Sequence, residues 1–312
     1  MTFESKRISN LEGSMLNLYK WTPEEHSEVI GIVQIAHGMA EWAGRYDEFA
    51  SRLAASGYLV YANDHRGHGK TAKDVDSIGF LGKDSFNGMV RDLKLIHDFI
   101  KSENTGLPVY LFGHSMGSFL AQSFAAKYGS VLNGMILSGS NGKQGFMLNL
   151  GIWIAGLQVL MQGEKAKGKL LDRLTFGTYN KHFKPANTPF DWLSRDTAEV
   201  GKYIADPYCG GVFTASFFYD FFRGLNILYD SEQIDNIPKN LPIFILSGSM
   251  DPVGEFGKGV VRLVQLYHKH GLTDVSLKLY ENARHEILNE TNKDEVVEDI
   301  LGWLNKKSAL HS

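Results

Sequence analysis

Gly113-His114-Ser115-Met116-Gly117 constrains this chain more than any other stretch. It follows a strand-like run, Val109-Tyr110-Leu111-Phe112, and precedes a helix-like run over 119–128. A serine at a sharp strand-to-helix turn has a strained backbone, and a Cβ at either flanking glycine, two residues before or after it, would crowd the turn. Glycines on both sides of Ser115 meet that demand. The pattern is G-x-S-x-G in the strand, turn and helix context that a nucleophile elbow requires. The bland alternative is a glycine-rich loop with a solvent-facing serine.

Strand-like and helix-like segments alternate around the elbow, which predicts an α/β sheet. Strands are expected over 15–21, 28–36, 58–62, 135–137, 243–246 and 275–279. Helical spacing marks 46–55, 89–100, 214–229, 260–268 and 296–304. The rhythm breaks at Gly139, and no strand pattern appears over 141–206. That segment is too long for an ordinary connection. The expected fold class is α/β, a mostly parallel doubly wound sheet with an inserted helical cap. Core residues 1–140 and 207–312 would flank a cap over 141–206.

With 312 residues, 43% of them hydrophobic, one large domain can bury a sizeable core. A net charge of -3 without long runs of one sign argues against nucleic-acid binding. Cys209 is the only cysteine, so no intrachain disulfide can form. The polar start, Met1-Thr2-Phe3-Glu4-Ser5-Lys6-Arg7, lacks the apolar core of a signal peptide. The longest apolar stretch, 146–161, is short for a bilayer span and is interrupted by Asn149, Gly151, Gly156 and Gln158. A soluble, cytoplasmic protein is expected.

A serine hydroxyl needs a base, and the base needs a third group to orient it and stabilise its cation. On a doubly wound hydrolase sheet these follow the serine in the order Ser, Asp, His, on loops past late strands. Asp251 follows the strand ending at Leu246, and His285 follows the strand ending at Tyr280. Each alone reads as an ordinary polar loop residue. Together, in order and beside the elbow, Ser115, Asp251 and His285 read as a catalytic triad. The oxyanion of a tetrahedral intermediate needs preorganised N–H donors. Met116, directly after the serine, and Met39, in His37-Gly38-Met39-Ala40 after an early strand, are the expected backbone donors.

At this point the chain resembles the α/β-hydrolase fold serine hydrolases of the monoacylglycerol lipase and bacterial lysophospholipase type. The resemblance runs through 37–46 (HGMAEWAGRY), 64–69 (DHRGHG), the elbow, Ser194-Arg195-Asp196, Asp206-Pro207, Gly248-Ser249-Met250-Asp251 and His285-Glu286. It covers nearly the whole chain. It implies hydrolysis of monoacylglycerols or similar single-chain lipid esters, a mobile cap over an acyl tunnel, and no cofactor. A lysophospholipase, a short-chain carboxylesterase or an aminopeptidase-like amidase would use the same apparatus. A non-catalytic ligand-binding homologue would need a damaged triad, and this one is complete. The family often has His at the position of Trp42 and Ser at that of Thr71.

Other residues carry competing readings. Arg45 could bind a polar head group, but a salt bridge with Glu41 or Glu48 that holds its loop is favoured. His114 could contact an alcohol group or simply pack. Trp153, Leu157 and Met161 recur at i, i+4 and i+8 and could line an acyl tunnel; the same run could instead pack on the core. Lys165, Lys167 and Lys169 suit a solvated bend or a transient contact of the cap with anionic lipid. His65 and His68 lack a third ligand nearby, so no metal site is expected. No base is placed for Cys209, which reads as a packed thiol.

Overall fold

The computed structural model describes residues 2–143 and 145–309. Met1 and 310–312, where the expected core segments begin and end, lie outside the described residues. Eight strands form one sheet in the order β1-β2-β4-β3-β5-β6-β7-β8. They are β1 (Thr2–Ser9), β2 (Met15–Thr22), β3 (Gly31–Ala36), β4 (Tyr58–Asn63), β5 (Val109–His114), β6 (Gly134–Ser138), β7 (Ile243–Gly248) and β8 (Val275–Tyr280). From β4 to β8 every pairing is parallel. β2 runs antiparallel to β4, and β1 antiparallel to β2.

β1 is the strand that periodicity misses. Its residues are almost all exposed, so no apolar alternation marks it. It is held by its ladder with β2, from Thr2 opposite Thr22 to Ser9 opposite Met15. Asn10 closes the hairpin, its Oδ1 accepting the Ser14 N–H at 2.8 Å and the Glu12 N–H at 3.0 Å.

The central strands are buried on both faces, as parallel strands flanked by helices must be. Leu111, Met135, Leu137, Ile243 and Ile245 point into one apolar cluster. The residues between them, Tyr110, Phe112, Ile136, Phe244 and Leu246, point into the other. Helices α2 (Ser85–Glu103) and α3 (Met116–Tyr128) cover the first face, and α1 (Asp47–Ala55) covers the second.

After β6 come three helices, α4 (Met147–Gln162), α5 (Lys169–Phe176) and α6 (Thr197–Ala205), before α7 (Ala215–Leu228) and the short α8 (Ser231–Asp235). α4 packs against α7, while α7 supplies Phe217, Phe218 and Phe221 to the first core cluster. Helix α9 (Lys258–Lys269) lies on the first face, and α10 (Lys293–Ser308) closes the second. No helix among the described residues is long and apolar enough to cross a membrane.

Candidate active site

Ser115 sits between β5 and α3 with φ at +51°. That conformation costs a non-glycine residue about 1–3 kcal/mol and persists because its surroundings impose it. The Ser115 N–H donates to Ser138 O at 2.9 Å, and the Ser118 hydroxyl donates to Ser115 O at 2.6 Å. The glycines beside it are steric requirements. A Cβ on Gly117 would lie 2.0 Å from Ala36 O, and one on Gly113 would lie 2.4 Å from Gly117 O. The sheet and the turn can close only without those carbons. Ser115 Oγ has no hydrogen-bond partner among the described residues and faces a cavity that His285 also lines.

Asp251 follows β7 and is fully buried. Its Oδ1 accepts His285 Nδ1 at 3.0 Å and the Val253 N–H at 2.8 Å. A carboxylate only accepts, so Nδ1 carries the ring proton and Nε2 keeps its lone pair. Burial opposes charging of His285, but Asp251 outweighs it and raises the imidazole pKa above its ordinary 6.5; Glu286 and Glu41 add to the rise. The His285 loop is clamped from outside the sheet. The Glu286 N–H donates to Leu193 O at 2.7 Å, and the Trp192 ring lies 5.1 Å from the imidazole. Gly139, with φ at +58°, gives the imidazole room, since a Cβ there would meet His285 Cε1 at 2.9 Å.

The loop after β3 carries the second expected donor. Glu41 Oε1 accepts the Gly38 N–H at 2.6 Å and the Tyr46 hydroxyl at 2.8 Å. Among the described residues neither the Met39 N–H nor the Met116 N–H has an acceptor. Behind this loop the imidazole of His37 donates from Nδ1 to Gly38 O at 2.7 Å and accepts the His65 N–H at Nε2 at 2.9 Å. Burial holds His37 far below its ordinary pKa, pushes His65 down to about 3 and His68 to about 4. These three imidazoles are neutral packing groups beneath the loop. Asp64 Oδ1 fixes the same loop by accepting the Ala43 N–H at 2.9 Å.

A cavity of about 290 Å³ joins Met39, Ser115 and His285. Ala40, Phe176, Phe190, Trp192 and Leu193 give it apolar walls, and His114, Glu41, Glu286, Asp172 and Arg173 are polar or charged groups that also line it. This combination of an apolar chamber and a few convergent polar groups is the usual form of a small-molecule site.

Residues 27–292 match the family model described as serine aminopeptidase, S33. The chain belongs to this family. It is 30% identical over 289 residues to a monoacylglycerol lipase of Mycolicibacterium smegmatis, covering 91% of this chain and 90% of that protein. It is 28% identical over 307 residues to a monoglyceride lipase of Homo sapiens, covering 97% of this chain and 90% of that one. Its fold is similar to that of a highly thermostable carboxyl esterase from Bacillus coagulans in complex with glycerol. There the TM-score is 0.91 and the identity 28%, over 99% of both chains. The protein is an α/β-hydrolase fold hydrolase.

Within this hydrolase the remaining expected residues divide. Arg45 is buried in ion pairs: Nη1 donates to Glu41 Oε2 and to Glu286 Oε1, and Nη2 donates to Glu286 Oε2, each at 2.7 Å. Swinging it towards a substrate would strand two buried carboxylates, and breaking a buried pair costs about 3–5 kcal/mol. Glu48, the other partner considered, pairs with Lys293 at 2.7 Å instead. His114 lines the cavity and meets Ser138 Oγ at 3.2 Å through Nδ1.

Trp153, Leu157 and Met161 do not line the chamber with Ser115. They are 66%, 41% and 73% exposed, because α4 turns its other side, with Leu148 and Ala155, inward. Their spacing marks a helix face correctly but cannot say which way that face looks. The chamber walls that sequence reasoning missed, Phe176, Phe190, Trp192 and Leu193, come mostly from an irregular stretch without periodicity. Their one signal is aromatic density in an otherwise polar segment. Trp42, where the family often has His, donates from Nε1 to Asp206 Oδ2 at 2.7 Å and ties the loop after β3 to the end of α6. Burial pushes the Cys209 thiol up, which suits a packed group.

Proposed function

We propose that this hydrolase cleaves monoacylglycerols and similar single-chain lipid esters through an acyl-enzyme on Ser115. The observation that carries the reading is the buried Asp251–His285 pair, 3.0 Å apart, with His285 and Ser115 lining one apolar-walled chamber. With an ester bound, Ser115 Oγ hydrogen-bonds to His285 Nε2, which takes its proton as Oγ attacks the acyl carbonyl. The Met39 and Met116 N–H groups hold the oxyanion. Asp251 keeps the imidazole in its tautomer and balances its charge. His285 then gives the proton to the departing alkoxide, the C–O bond breaks, and the alcohol leaves. Water repeats the sequence on the acyl-enzyme and releases the fatty acid.

The apolar walls of the chamber, Phe176, Phe190, Trp192 and Leu193, favour a substrate that carries an acyl chain. A substrate panel tests this. Monoacylglycerols of medium and long chain should be turned over with higher kcat/KM than two-carbon nitrophenyl esters, lysophosphatidylcholine or aminoacyl arylamides. A preference for the two-carbon ester or the arylamide would contradict it.

Residues 141–206 act as the cap over this chamber, and the outer face of α4 meets the lipid surface. No charged residue lies on α4, and Phe146, Trp153, Leu160 and Met161 are 77%, 66%, 83% and 73% exposed. Lys165 and Lys169 border that face in sequence and suit anionic headgroups. Phe146→Ser with Leu160→Ser should weaken cosedimentation with phosphatidylglycerol vesicles severalfold while hydrolysis of a soluble short-chain ester is kept. Unchanged cosedimentation would count against the lipid contact.

A further inference from the structure

Glu41, Arg45 and Glu286 join the two loops on which the proposed chemistry depends. Glu41 receives the Gly38 N–H, one residue before Met39. Glu286 directly follows His285. The Arg45 guanidinium bonds both carboxylates at 2.7 Å and lies 4.8 Å from the Tyr203 ring of α6. We infer that Arg45 is a positioning residue, holding the Met39 amide and His285 at a fixed separation through Glu41 and Glu286, and that Glu286 tunes the base electrostatically. The inference deepens the acyl-enzyme reading and rests on it.

The chemistry of the side chain fits the task. Arginine presents a rigid planar fork that can serve two carboxylates at once, whereas a lysine ammonium is a point charge on a flexible stem. Burial opposes ionisation of Glu286, yet Arg45 outweighs it and holds that carboxyl below the usual range. Burial pushes Glu41 up, against the pull of Arg45. The charged groups facing His285 are Asp251 after β7, Glu286 in its own loop, and Glu41 from the loop after β3. His114, at the end of β5, is kept neutral by burial, its pKa pushed down to about 3. Removing the Glu286 charge subtracts one of the contributions that favour the imidazolium, so the base should deprotonate at lower pH.

The test measures kcat and KM for a soluble nitrophenyl ester across about pH 5 to pH 9 with the full chain. Wild type is compared with Ser115→Ala, Arg45→Lys, Arg45→Met and Glu286→Gln. Arg45→Met should lower kcat at least about tenfold with a smaller change in KM, since misplacing a donor and a base costs turnover more than binding. Arg45→Lys should recover part of that loss. Glu286→Gln keeps a hydrogen-bonding partner for Arg45 and should move the acid limb of kcat/KM to lower pH by roughly half a unit. If Arg45→Met does not fold, Arg45→Lys and the Glu286→Gln limb decide.

An acid limb unmoved in Glu286→Gln, or a kcat within about twofold of wild type in the folded arginine variants, overturns the inference. Ser115→Ala separates the two readings. If it stays active, the acyl-enzyme reading fails; if it is inactive while the network variants behave as wild type, only the positioning role fails.

Discussion

Ser115→Ala is expected to lower kcat for ester hydrolysis by about 10⁴-fold or more, with the protein still folded. The two halves of that expectation have separate grounds. The hydroxyl is the atom that would bond to the acyl carbon, and without it only the oxyanion donors and substrate binding remain. The same hydroxyl has no hydrogen-bond partner among the described residues, so its removal leaves no buried group stranded. Alanine also keeps the Cβ that residue 115 already carries at φ +51°, so the strain of the turn is unchanged. Turnover of a long-chain monoacylglycerol and the thermal unfolding midpoint check both halves. A kcat within a few-fold of wild type would remove Ser115 from the chemistry.

The second large effect belongs to Asp251. Asp251→Asn preserves shape but replaces an acceptor-only oxygen pair with an amide that can also donate. The imidazole of His285 can then hold its proton on Nε2, facing Ser115, where it cannot serve as a base. A loss of about 10⁴-fold in kcat is expected from the wrong tautomer alone. Because Asp251 is also the strongest of the groups that raise the His285 pKa, residual activity should show an acid limb displaced to lower pH. Hydrolysis rates measured across the acid range check this. An Asp251→Asn variant with near-normal kcat would assign the orienting role to another group.

Much of this was legible in the sequence for physical reasons that can be named. The elbow needed glycines at 113 and 117, and the structure brings Gly117 against Ala36 O so closely that no other residue fits. β5, β6 and β7 are short apolar runs buried on both faces, a pattern that survives in any order of composition. The order Ser115, Asp251, His285 follows from where parallel strands end. β1 was not legible because its stability comes from pairing with β2 and not from a buried face.

The walls of the chamber were hidden for a different reason. Phe190, Trp192 and Leu193 reach the site through irregular backbone, which has no period to read. α4 is apolar on all sides, so the side facing the protein could not be told from the side facing solvent. In the sequence Glu286 stands out only as the neighbour of His285. Its pairing with Arg45 spans 241 positions, and no local rule reports a contact of that range.

The central claim is that one serine hydroxyl, made nucleophilic by His285 and Asp251, takes up the acyl group. Labelling the folded protein with a fluorophosphonate and mapping the adduct by peptide mass spectrometry addresses it most directly. A single adduct on Ser115, slowed strongly in His285→Ala, is the predicted result. An adduct on another residue, or none on a folded and active sample, would contradict it.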